Sequence, residues 1–109
     1  MRVDTTVLRG EPDRGYLAKS VAGAVDVTLR ADETAHKTIQ FSGAITANIN
    51  VIFPLGAENR GVWHFENTTS GAFTVTVKGE IGTGIVITQG TRQVAAWTGA
   101  DFVPWTAAL

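Results

Sequence analysis

The sequence predicts an all-β protein: a single antiparallel β-sandwich, jelly-roll-like, of about eight short strands behind an extended N-terminal arm. Three observations predict it. Short runs that alternate apolar and polar residues recur from Val25 to Trp105, spaced roughly 8–12 residues apart. Turns rich in glycine separate them, drawing on 12 glycines in all. Fifteen threonines suit a pleated surface, where β-branched side chains pack well. A chain of 109 residues and 11.6 kDa builds one core. No connection has room for a crossover helix, which rules out a parallel α/β fold.

Residues 1–24 form the arm and residues 25–109 the sandwich. The arm has no sustained period, and Gly10, Pro12, Gly15 and Gly23 break it. One short strand is expected within it at Thr5–Leu8. Val25–Arg30 then alternates, with Val25, Val27 and Leu29 on one face. Ala31–His36 favours helix but is too short for more than a single turn. Thr38–Phe41 is a strand with Ile39 and Phe41 inward. Ile45–Phe53 places Ile45, Ala47, Ile49, Val51 and Phe53 on one face, and Pro54 ends it. Leu55–Gly61 is a loop. Val62–Asn67 presents Trp63 and Phe65 to one side, His64 and Glu66 to the other. Ala72–Lys78 alternates most clearly, with Phe73, Val75 and Val77 facing in. Ile85–Thr88, Arg92–Trp97 and Phe102–Trp105 complete the set. Ser42-Gly-Ala-Ile-Thr46 recurs as Ser70-Gly-Ala-Phe-Thr74, 28 residues later, which reads as turn chemistry used twice or as two related hairpins.

Charge and composition restrict the function. Nine Lys and Arg against ten Asp and Glu give a net charge of −1, which argues against a non-specific nucleic-acid binder. No apolar run reaches the ~20 residues of a membrane span. The opening Met1-Arg2-Val3-Asp4 has no signal-peptide texture, so Sec export is not expected. With no cysteine, disulfides and thiolate zinc sites are excluded.

A catalytic site needs a nucleophile, a base and a group to orient the base. The two histidines, His36 and His64, lie apart and read as surface residues. The carboxylates sit mostly in turns (Asp32, Glu33, Glu58, Glu80, Asp101) and read as solvated. Gly79–Gly84 lacks the Gly-Lys-Ser/Thr and the following helix of a phosphate-binding loop. Asn67-Thr-Thr69 matches a glycosylation acceptor but reads as a polar turn. No enzyme activity and no cofactor are expected.

What remains is assembly. A sandwich has free edges that another chain must cover or the protein must blunt. An arm reaches ~3.3 Å per residue and can add a strand to a neighbour's sheet. Tryptophans near the C-terminus serve either the core or a subunit interface. The candidate partner-interface residues are Arg9, Arg14, Tyr16, Trp97 and Trp105, and the expected assembly is a closed homo-oligomer.

Val25-Asp-Val-Thr-Leu29, Phe41-Ser-Gly-Ala-Ile-Thr-Ala-Asn-Ile-Asn-Val-Ile-Phe-Pro54, Trp63–Lys78 and Gly82-Thr-Gly-Ile-Val-Ile-Thr-Gln-Gly90 resemble a β-module of tailed-bacteriophage virion proteins. That module occurs in head-decoration, head-spike and tail-fibre proteins. Its members commonly close with an Asp-Gly-Thr turn, where this chain has Thr98-Gly-Ala-Asp101. The resemblance implies a virion structural role on the capsid exterior, as a trimer made in the bacterial host cytoplasm. The expected function is capsid decoration or a head-spike or fibre base, with the major capsid protein or another virion protein as partner. The alternative is a tail-fibre or receptor module that binds glycan.

Overall fold

The computed structural model describes residues 15–56 and 61–105. The expected strand at Thr5–Leu8 lies outside them. Nine strands and one helical turn follow in order: β1 Tyr16–Ser20, β2 Val27–Thr28, α1 Ala31–Thr34, β3 Thr38–Ser42, β4 Ile49–Phe53, β5 Gly61–Asn67, β6 Val75–Gly79, β7 Ile85–Ile87, β8 Arg92–Trp97 and β9 Phe102–Pro104. They make two sheets, one ordered β1-β3-β5-β8-β9 and the other β2-β4-β6-β7. The protein is all-β, as its alternating runs predict.

The pairing departs from the antiparallel expectation. The first six strands alternate between the two sheets, so each strand lies beside the one two places earlier in the chain, and every such pair is parallel. The chain therefore winds as a two-layer coil. Parallel partners need a crossover of a dozen or more residues. Here the crossover is a strand of the facing sheet, so parallel pairs form with no crossover helix and without an α/β fold. Only β7, β8 and β9 run antiparallel to their neighbours. The sheets are mixed.

The repeated Ser-Gly-Ala segments mark the corners of the coil. Ala44 bridges Ser70 and Gly23 bridges Ile45, both in parallel, as the chain passes from one sheet to the other. Gly43 and Gly71 adopt φ of 105° and 107°, a backbone conformation that a side chain resists. Neither segment belongs to a hairpin. Side chains secure the stacking nearby: Asp26 Oδ1 accepts from the Asn50 amide (2.9 Å), and Asn48 Oδ1 accepts from the Thr74 amide (3.0 Å).

Two strand boundaries also move. Val25 is 72% exposed and Phe73 is 38% exposed, because both lie in corners, before the alternation of β2 and β6 begins. Tyr16–Ser20 is a strand of the larger sheet, paired in parallel with β3, and Val21 is buried in the core.

The core lies between the sheets. Phe53 of β4 meets Phe65 of β5 edge-on at 5.7 Å and Phe102 of β9 at 4.7 Å. Phe102 also packs on Trp63 and Trp97. Such pairs add about 0.5–1.5 kcal/mol each beyond the area they bury. Asn67 is 0% exposed and ties the layers together. Its Nδ2 donates to the Ile87 carbonyl (2.6 Å), and its Oδ1 accepts from the Thr69 amide (2.9 Å) and hydroxyl (2.6 Å). A side chain so enclosed is a structural joint, in place of the polar turn expected from Asn67-Thr-Thr69.

Candidate interaction surface

Strand alternation gives the five-stranded sheet an inner and an outer face. Ile39, Phe41, Trp63 and Phe65 point inward and are buried, so Thr38, Gln40, His64 and Glu66 point outward. Register places the outward residues in rows across the strands. Tyr16, Thr38, His64 and Val94 form one row, and the Trp105 amide donates to the Val94 carbonyl (2.9 Å) at its far end. Ala18, Gln40, Glu66 and Arg92 form the next. Within that second row Arg92 pairs with Glu66 (3.3 Å), and Gln40 Nε2 donates to Glu66 Oε1 (3.4 Å). A shallow groove of about 480 Å³ runs over this face, lined by Tyr16, Thr38, His64, Glu66, Arg92 and Val94 among others.

The sheet ends in β1 on one side and β9 on the other. At β1, the Thr38 amide donates to the Gly15 carbonyl (2.6 Å) and the Val21 amide to the Ser42 carbonyl (2.9 Å). These bonds assign the odd-numbered residues to β3. The peptide groups of Tyr16, Ala18 and Ser20 point the other way, since alternate residues of a parallel ladder face opposite neighbours. At β9, bonds from Trp105 to Val94 and from Thr98 to Asp101 assign residues 101, 103 and 105 to the inner side. The peptide groups of Phe102 and Pro104 therefore point to the free edge, and Pro104 has no N–H to offer.

Ionised groups hold both edges. Lys19 of β1 donates to Glu33 (2.8 Å), whose other oxygen accepts from the Arg30 amide (2.9 Å) at the start of α1. Burial pushes the Glu33 carboxyl up, but Lys19 and the Arg30 amide outweigh it and hold it below its ordinary value. Beside β9, Asp101 accepts from the amides of Gly79 (2.9 Å) and Gly84 (2.8 Å). Partial burial pushes it up as well, and these amides with those of Phe102 and Thr83 bring it down. Lys37 Nζ sits 3.6 Å from the centre of the Trp63 ring, and burial lowers its ammonium.

The sequence candidates divide. Arg9 and Arg14 lie outside the described residues. Tyr16 and Trp105 are 56% and 54% exposed and stand at opposite ends of one row, at the two edges of the sheet. Trp97 is 3% exposed: its ring packs on Phe102 (5.0 Å), and its Nε1 donates to the Gly56 carbonyl (3.2 Å). A ring enclosed by its own chain offers nothing to a partner, so the interface reading of Trp97 is corrected to a core one. Among the carboxylates read as solvated, Glu33 is buried and Asp101 is held by amides. The signal for Glu33 was its place three residues after a helix start, obscured because Arg30 stands where Ser or Thr is usual. Among the described residues no group of three or more His, Cys, Asp or Glu side chains is placed to hold a metal ion, and no helix is long and apolar enough to cross a membrane.

No protein-family model matches the sequence, and neither a curated protein nor a solved structure gives a match.

Proposed function

We propose that this chain is a structural protein of a tailed-bacteriophage virion, a capsid decoration or head-spike-base protein that works by binding other virion proteins. The observation that carries the reading is the β1 edge. It is a five-residue strand with a hydrogen-bonded neighbour, among the described residues, on one side only. Its outward peptide groups suit strand addition by a further chain of the assembly, whether a second copy or another virion protein, and the exposed Tyr16 ring lies beside them. Binding only to the assembled shell stabilises that shell by mass action. The reading further rests on the resemblance of Val25–Trp105 to virion modules.

The test is cosedimentation with capsid shells of the phage whose genome encodes the chain. Saturable binding is expected, weakened when residues 1–14 are removed with β1 left whole. A chain that binds no shell and no other virion protein contradicts the reading.

A second reading, a glycan-binding fibre module, is favoured by the groove. It joins an exposed Tyr16 to the Glu66–Arg92 pair, groups that can receive a sugar ring and its hydroxyls. Tyr16→Ala should abolish binding to host surface polysaccharide on that reading, while Trp105→Ala, outside the groove lining, should leave it.

A further inference from the structure

We infer that the β1 edge is self-complementary and that its partner is β1 of a second copy, paired antiparallel about a two-fold axis at Ala18. The inference rests on the assembly role proposed above and names the contact that would serve it.

The outward peptide groups belong to Tyr16, Ala18 and Ser20, spaced evenly about Ala18. Under a two-fold rotation Ala18 meets Ala18 of the second copy, and Tyr16 meets Ser20 in both directions. Each of the three residues then exchanges N–H and C=O with its opposite, as in the closely spaced pairs of an antiparallel ladder. All three donors and all three acceptors of the edge find partners at once, in one register. A shift by two residues leaves a residue of each strand unpaired.

Side chains agree with that register. On the outer face the small Ala18 sits at the axis opposite its own copy, and Tyr16 lies over Ser20. On the inner face Leu17 meets Lys19 of the second copy. Lys19 is engaged by Glu33 within its own chain, so its stem is free to cover the half-buried Leu17. No like charges are opposed. The same end of the molecule carries β2, the first strand of the facing sheet, with half-buried Val27 packed on the core. A two-fold axis along the sheet normals turns that end toward its own copy as well. The opposite edge offers no such match, since Pro104 removes a donor from β9. The contact yields pairs, where the resemblance implied trimers. An edge of this length makes a small interface, so the association is weak and concentration-dependent.

The test is sedimentation equilibrium of the full chain with Ala18→Lys and Ala18→Glu, alone and mixed. Wild-type protein should show a monomer–dimer equilibrium. Each variant should associate about tenfold or more weakly, because like charges oppose at the axis. An equimolar mixture should recover a heterodimer. Ala18→Pro removes only the outward N–H and should also give monomers, with an unchanged far-ultraviolet spectrum. A wild-type monomer at every concentration overturns the inference. So does undiminished dimerisation of the Lys variant, or a mixture no stronger than its components. Shell binding that persists in a monomeric Ala18→Lys variant would leave the virion role standing and remove only this contact from it.

Discussion

The two edges of the five-stranded sheet, β1 and β9, solve one problem in opposite ways. β9 is short, and Pro104 takes away an outward donor while Phe102 sinks into the aromatic core. β1 is longer, keeps every outward donor and acceptor, and sends only half-buried Leu17 and Lys19 inward. Natural sheets blunt the edges that must stay single. A molecule that blunts one edge and leaves the other intact distinguishes a finished side from one suited to pairing. The coil explains why the difference falls there: among the described residues β1 is the first strand of the winding, and no earlier turn lies against its outer side.

The largest expected effect comes from loosening the finished side. Phe102→Ala removes a ring that meets Phe53, Phe65, Trp63 and Trp97, and should cost about 3–5 kcal/mol in denaturant unfolding. A loss under about 1 kcal/mol would show that β9 is not anchored as described. Glu33→Gln, on the pairing side, should cost roughly 1–3 kcal/mol by leaving Lys19 without its carboxylate. It should raise amide exchange in β1 more than in β9; equal exchange in both would contradict the claim that Glu33 secures β1 in particular.

How much of this was readable in the sequence follows from what each feature depends on. The inward faces of β3 and β5 were legible because alternation is local: Ile39, Phe41, Trp63 and Phe65 stand at every second position. Pairing direction was not, because Thr38–Ser42 reads the same beside a parallel or an antiparallel neighbour. β1 was missed for a related reason. Tyr-Leu-Ala-Lys-Ser buries little of its own, and only β3 makes it a strand. Trp97 and Trp105 are equally aromatic and near in sequence, yet β8 turns one inward and the end of β9 leaves the other exposed. The groove was out of reach altogether, since Tyr16, Glu66 and Arg92 meet only through long-range register.

Acid should act on the supports of both edges. Glu33 and Asp101 are held below their ordinary values in the folded chain, so each contributes stability that is full above the unfolded carboxylate range. That stability should fall away below about pH 5 as they protonate. Asp101→Asn and Glu33→Gln should each flatten part of the fall in melting temperature between pH 6 and 3. A slope unchanged in both variants would place the acid sensitivity elsewhere. The smallest effect should come from Pro104→Ala. It restores the outward donor of β9 and should leave monomer stability within about 1 kcal/mol. It should add a second, weaker mode of self-association to light scattering; no change in scattering would mean that Pro104 is not what closes that edge.

The unequal treatment of the two sides is tested most directly by residue-resolved amide exchange at several protein concentrations. The Ala18 amide should exchange quickly in dilute solution and slow progressively as concentration rises, while the amides of the β9 strand stay unaffected. An Ala18 amide protected to the same degree at every concentration would mean that its own chain already covers the β1 edge, and the account would fail.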